Sequence, residues 1–211
     1  MSVAGLAQDH ISGVTRTQVL AGERLLPLSP ALSPLVPAGG LQRGTTARVT
    51  GIRPGTTSLA LELLVGVSMS GSWCAIAGMP ELGLRAVEER GFDLSHLLLV
   101  PSLGDPSRRL QVLAALLDAV DAVVLAPPAT FRPGDTRRIM ARARERCCLL
   151  VVVDRLGTWP VQVDLSFAVA GSRWSGLGPG HGLLRERRLE VEVRGRGAAA
   201  LGRRGAVALP A

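Results

Sequence analysis

Ala47-Arg48-Val49-Thr50-Gly51-Ile52-Arg53-Pro54-Gly55-Thr56-Thr57-Ser58-Leu59-Ala60-Leu61 carries the pattern on which the fold turns. Ala47 to Thr50 reads as a strand, Gly51 to Thr56 as a Gly/Pro turn, and Ser58 to Met69 as an apolar helix. Beyond this helix the alternation continues with strands at Trp73–Ala77, Leu97–Val100, Ala122–Ala126 and Cys148–Val153. Helices are expected between them at Glu81–Arg90, Pro106–Val120 and Gly134–Arg146. Short aliphatic strands separated by helices demand an α/β fold, with a mostly parallel central sheet covered by helices on both faces. After Asp154 the helical pattern stops, and Val163–Ala170, Leu183–Arg194 and Ala206–Pro210 read as antiparallel C-terminal strands.

A chain of 211 residues fits one such domain. Residues 1–40 carry Pro27, Pro30, Pro34 and Pro37, so they are expected to form a lead-in arm, with room for one short helix over 11–26. The domain then spans 41–211, and the Gly/Arg-rich stretch Gly195–Gly205 is expected as a short flexible tail. Hydrophobic residues make up 47% and aromatics only 3%, so the core must be aliphatic. All 24 basic residues are Arg, and the net charge is +7. That balance suits contact with nucleic acid or an acidic protein surface, although a GC-rich genome produces the same Arg bias. Cys74, Cys147 and Cys148 lack the spacing of a metal site, so no metal and a reducing compartment are expected. No basic leader or long apolar run is apparent, which predicts a soluble, cytoplasmic protein with no membrane contact.

A phosphate-binding loop of the G-x-x-x-x-G-K-[ST] type wraps phosphates in backbone N–H groups while its Lys reaches the terminal ones. Here Gly51 and Gly55 stand one residue too close, Pro54 removes a donor, and Thr56 occupies the Lys position, followed by Thr57. A tight strand-to-helix turn with no ligand is the plain reading of Gly51, Gly55, Thr56 and Thr57.

Gly39-Gly40-Leu41, Arg43-Gly44, this turn, Thr57 to Leu61, Trp73-Cys74-Ala75-Ile76, Arg90-Gly91-Phe92-Asp93-Leu94 and Leu97 to Val100 resemble RecA in order and approximate spacing. The resemblance covers about residues 39–155. It implies a catalytic Glu after Ala77, where this chain has Gly78-Met79-Pro80, and a metal-organising Asp after Leu125, where it has Ala126-Pro127-Pro128. Glu81 is read as an N-terminal charge on the next helix. Without those groups and the Lys, neither ATP hydrolysis nor a cofactor is expected. The resemblance places the single-stranded DNA loop after Val153, and only Asp154 to Gln162 stand there.

Two arginine clusters are candidate partner or DNA contacts. Arg137, Arg138 and Arg142 lie on one expected helix, where Arg138 and Arg142 share a face, unless this is simply a solvated face relieved by Glu145. Arg187 belongs to the second cluster, which runs from Arg185 to Arg204. Arg173-Trp174-Ser175-Gly176-Leu177-Gly178-Pro179-Gly180-His181-Gly182, with the alternating Arg188 to Arg194 strand, resembles the C-terminal part of the ImuA family in its actinobacterial form. Trp174 is either a core plug or an interface anchor, and His181 reads as a surface residue on a hairpin turn. The resemblance implies a RecA-like, non-catalytic accessory protein of the SOS-type DNA damage response, nucleoid-associated when engaged. Its direct partner would be an ImuB-type inactive Y-family polymerase homologue. An error-prone replicative-type polymerase alpha subunit and the sliding clamp would follow indirectly. The alternatives are a single-stranded or damaged DNA-binding module, and a regulator that docks on RecA.

Overall fold

A computed structural model describes residues 25–127, 131–178 and 181–210. Within them lie β1 (Leu25–Pro27), β2 (Gly40–Gln42), β3 (Thr46–Thr50), α1 (Thr56–Met69), β4 (Cys74–Ala77), α2 (Leu84–Glu88) and β5 (Leu97–Val100). There follow α3 (Pro106–Ala119), β6 (Ala122–Leu125), α4 (Pro133–Glu145), β7 (Leu149–Asp154), β8 (Leu165–Gly178), β9 (His181–Gly195) and β10 (Arg203–Pro210). The main sheet has the order β10-β9-β8-β3-β7-β6-β4-β5. It is parallel from β8 to β5 and antiparallel at β8-β9-β10. The α/β architecture with antiparallel C-terminal strands is therefore as the sequence pattern requires.

The alternation within each strand sorts its side chains onto two cores. Val151 and Val153 join Ala47, Val49, Ile76 and Val124 beneath α1, whereas Leu150 and Val152 join Ala75, Val123 and Leu125 beneath α3 and α4. Strands β4, β6 and β7 are buried at every residue, which is why they read as unbroken aliphatic runs.

Helix α1 is covered on its outer side too. Leu26, Leu28, Leu32, Leu35 and Val36 belong to the same buried cluster as Leu59, Leu63 and Leu64. A β-carbon on Gly66 would lie 2.5 Å from the Pro27 carbonyl oxygen, so only glycine lets this segment cross the helix. The expected arm over 1–40 is thus corrected for its described part: residues 25–40 form β1, a 3₁₀ turn at Ser33–Leu35 and the start of β2, packed into the core. The prolines exclude a long helix but not burial of the leucines between them. Of the short helix expected over 11–26, the part up to residue 24 lies outside the described residues, and Leu25 and Leu26 are in β1.

Other boundaries differ for local reasons. The helix expected over Glu81–Arg90 shrinks to Leu84–Glu88, because Gly83 stays extended and Gly91 takes a positive φ of 91°. Glu81 therefore precedes α2 and is exposed rather than charging its first turn. The Gly-rich stretch after Arg173 continues β8 as far as Gly178, with Gly176 (φ 105°) at a register shift. The expected flexible tail is instead a turn with a 3₁₀ segment at Gly197–Ala199, and Arg203 to Gly205 already belong to β10. Arg203 donates to the Pro34 carbonyl at 3.2 Å, pinning β10 to the N-terminal segment. Among the described residues no helix is long and apolar enough to cross a membrane.

Helix α4 ends in a paired turn in which Cys148 N–H bonds the Ala143 carbonyl at 2.9 Å and Cys147 N–H bonds that of Arg144 at 3.1 Å. This motif calls for glycine at its left-handed residue, yet Cys147 holds it at φ 54° with its side chain exposed. Cys147→Gly is expected to raise unfolding stability by about 0.5 to 1 kcal/mol in urea titration. A second outcome concerns Asp93, which accepts from Ser95 Oγ (2.6 Å) and N (2.9 Å) and lies 2.7 Å from His96 Nδ1. The Ser95 hydroxyl, then His96, hold its carboxyl down to about 2, from 3.8. A carboxyl depressed in the folded state stabilises above its unfolded value. That contribution is present above about pH 3.8 and fades as pH falls toward 2, so Asp93→Asn should flatten the acid limb of stability between these values.

Candidate functional site

The site begins at the turn between β3 and α1. Gly51 and Gly55 take φ values of 130° and 120°, and α1 opens on Gly55 without a capping side chain. Thr56, at the position a phosphate-loop lysine would hold, is 2% exposed and points back into the turn. Its hydroxyl lies 2.8 Å from the Gly51 carbonyl oxygen and 3.1 Å from that of Arg53, closing the loop upon itself. Thr57 accepts from Arg155 Nη2 at 2.5 Å, tying the turn to the loop after β7.

The β8–β9 hairpin lies across this turn. A β-carbon on Gly55 would stand 2.6 Å from Leu189 Cδ2 and 3.5 Å from Arg187 Cζ, and one on Gly51 would stand 3.3 Å from the Val169 carbonyl oxygen. The space beside the start of α1 is thereby filled with the chain's own aliphatic and guanidinium groups.

Arg187 is buried, at 8% exposure. Its Nε donates to Ser172 Oγ at 3.0 Å and its Nη1 to Ser58 Oγ at 3.4 Å, while its guanidinium lies over the Trp174 ring at 5.0 Å. Arg90 Nη2 donates to the same Ser58 hydroxyl at 3.2 Å. Burial, and then the charge of Arg90, lower the Arg187 pKa below its usual value. Neither arginine has a carboxylate in salt-bridge range among the described residues, although the field of Glu62 partly offsets the burial of Arg90.

Positions where RecA-like chemistry would place carboxylates are packed by backbone. Gly78 N–H bonds the Val100 carbonyl at 2.9 Å, and a β-carbon there would lie 2.2 Å from the Ala126 carbonyl oxygen. Asp154, 1% exposed, instead accepts from Thr158 N (2.7 Å) and Trp159 N (3.1 Å) and shapes the short loop after β7. No cluster of metal-binding groups occurs among the described residues.

Of the residues singled out in the sequence, Trp174 and Arg187 come together on β8 and β9, and exposed His181 begins β9 opposite Gly178. Arg137, Arg138 and Arg142 lie apart from them on α4, on the opposite face of the sheet. Arg142 is not a free anion contact: its Nε bonds Asp118 of α3 at 2.9 Å, and Arg146 bonds the same carboxylate at 2.9 Å. The pair clasps α4 to α3, which explains how Arg138 and Arg142 tolerate one face. Sequence reasoning passed over Ile52, Leu156, Leu177 and Leu183, which are 86%, 80%, 66% and 78% exposed. For Ile52, Leu177 and Leu183 the available signal was an apolar residue set beside glycine in a turn-rich stretch.

Residues 34–161 match the family model described as the MT3502 N-terminal domain. The uncharacterized protein Rv3395c of Mycobacterium tuberculosis is 33% identical over 198 residues, covering 89% of this chain and 93% of the relative.

The packing of Leu189 on the turn makes a direct expectation. Gly55→Ala adds a methyl group at φ 120° against Leu189, and should lower stability by about 2 to 4 kcal/mol in chemical denaturation. Glu81→Ala, exposed in the turn before α2, should change it by less than about 0.5 kcal/mol.

Proposed function

The chain belongs to the MT3502 N-terminal domain family, and from that premise we propose that it is a non-catalytic RecA-like adaptor of a damage-induced translesion synthesis assembly. Its direct partner in this reading is an ImuB-type inactive Y-family polymerase homologue. The ImuA-like segment Arg173–Gly182 and the RecA-like order of motifs from Gly39 to Val100 support the assignment. The observation that carries the non-catalytic part is the closed turn. Thr56 binds the loop's own carbonyls, and Leu189 and Arg187 occupy the ground beside the first turn of α1. Phosphoryl transfer needs charge-neutralising groups aimed at a bound phosphate, and the donors here are aimed at the protein itself.

A second reading, contact with single-stranded DNA, is favoured by one observation: Arg137, Arg173, Arg185 and Arg188 are exposed and form no ion pair among the described residues. Such contacts would weaken steeply with salt.

Co-expression with the ImuB-type protein of the same genome is expected to yield a complex that co-elutes in size exclusion. Separate elution would overturn the adaptor reading. In the same preparation ATP with magnesium should leave the melting temperature unchanged, since a ligand that binds only the folded state raises it. An upward shift would return the protein to the nucleotide-binding class.

A further inference from the structure

The β8–β9 hairpin is more than the end of a sheet. Pairing of β8 with β3 stops at Thr50↔Ala168, whereas β8 runs on to Gly178. Beyond Ala168 that side of β8 has no strand neighbour among the described residues, and β10 leaves β9 at Glu186↔Pro210. The result is a ribbon projecting past the carboxyl end of β3, backed by β10 as far as Ser175↔Glu186 and two-stranded beyond it, whose β8 edge has no strand neighbour among the described residues along Gly171–Ser175, between two register shifts. Folded proteins ordinarily cover or charge such an edge, because it templates pairing with another chain.

Its side chains have two characters. Trp174, Leu177, Leu183 and Leu184 are 40%, 66%, 78% and 43% exposed. Ile52 and Leu156 stand at the same end of the sheet, in the loops after β3 and β7. Exposed apolar groups gathered at one end of a molecule mark an interaction surface. Between them Arg173, Arg185 and Arg188 are exposed, and none closes an ion pair with Glu186 or Glu190 on the same ribbon. Arg173 sits directly opposite Arg188 in the register, a like-charge arrangement that an incoming carboxylate would relieve. The ribbon is also braced: Trp174 rests on the Arg187 guanidinium, which is fixed through Ser58 to α1. A rigid platform loses little conformational freedom on binding.

We propose that this ribbon docks an extended, acidic, leucine-bearing segment of a partner protein, added as a strand along the open edge of β8. The inference rests on the adaptor reading and names its surface. The aliphatic groups choose between macromolecules: bases stack on aromatic rings, and the ribbon offers Trp174 and His181 against three exposed leucines, Leu177, Leu183 and Leu184. A peptide with alternate leucines and carboxylates answers both the leucines and the arginines, while its backbone answers the edge.

The probe is a labelled peptide alternating Leu and Glu, read by fluorescence anisotropy on the full chain. Peptides with Lys for Glu, or Ser for Leu, serve as comparators. The Leu/Glu peptide is expected to bind at least about tenfold more tightly than either. The double replacements L177E/L183E and R173E/R185E should each weaken it by about tenfold or more, with unchanged circular dichroism and melting, whereas Arg138→Glu on α4 should not. Equal binding of all three peptides would overturn the proposal, as would indifference to the ribbon replacements. So would displacement of the peptide by a thymine oligonucleotide whose own binding survives L177E/L183E. The same variants in the co-elution experiment separate the two readings. If the wild-type chain fails to hold the ImuB-type protein but the peptide pattern appears, the adaptor reading fails and the docking ribbon stands. If the complex survives the ribbon replacements, the ribbon is not its surface.

Discussion

The contact of Leu189 with Gly55 is the constraint on which the rest depends. Strand β3 must turn into α1 within six residues, and the same turn must accept a hairpin laid across it. Both needs fall on glycines with positive φ, since a β-carbon at either would be strained in the backbone and crowded by β8 or β9. Once the turn is closed by Thr56, the start of α1 is fixed relative to β3. The hairpin can then bury Leu189, Val191 and Val193 in the same core as the helix. Fold and candidate interaction surface are therefore joined at one point, and a change at Gly55 is felt in both.

Helix α1 shows what that joining requires elsewhere. A helix packed on one side of a sheet presents an apolar stripe, but α1 is apolar nearly all round. Its second side is satisfied by Leu26, Leu28 and Leu32, which reach it only because Gly66 leaves room for the Pro27 carbonyl. Arg203 and Leu35 then tie β10 to the same segment, so the two ends of the described chain brace one another across α1.

Those features also mark where the sequence could be read and where it could not. The parallel half was legible because doubly buried strands are continuous aliphatic runs, and β4, β6 and β7 fall within one residue of the expected bounds; the edge strand Leu97–Val100, half-buried, is aliphatic enough to be read as well. The tight turn between β3 and α1 was legible from Gly51, Pro54 and Gly55, because its geometry depends on residue types within one short window. The antiparallel hairpin was legible too, but not its length, because glycine and serine between Gly171 and Gly178 carry turn propensity that cross-strand pairing overrides. Nor could local pattern show that Arg187 is buried while Arg185 and Arg188 on either side are not. That outcome is set by Ser58 and Trp174, which are distant in sequence or across the hairpin.

Arg187 also gives the all-arginine composition a physical consequence at one position. A buried cation beside a second one, Arg90, and without a close carboxylate among the described residues, is costly. A guanidinium lessens that cost because it is delocalised, weakly hydrated and planar, so one face can lie on Trp174 while its edge donates to Ser172 and Ser58. An ammonium is more strongly hydrated and lacks the planar fork, so Lys at this position would lose the paired donation to Ser172 and Ser58. The arrangement turns an unfavourable charge into a brace: it holds Trp174 half exposed at the base of the ribbon and couples the ribbon to α1 through a single serine. Whatever produced the arginine bias, this position uses the geometry of the side chain and not merely its charge.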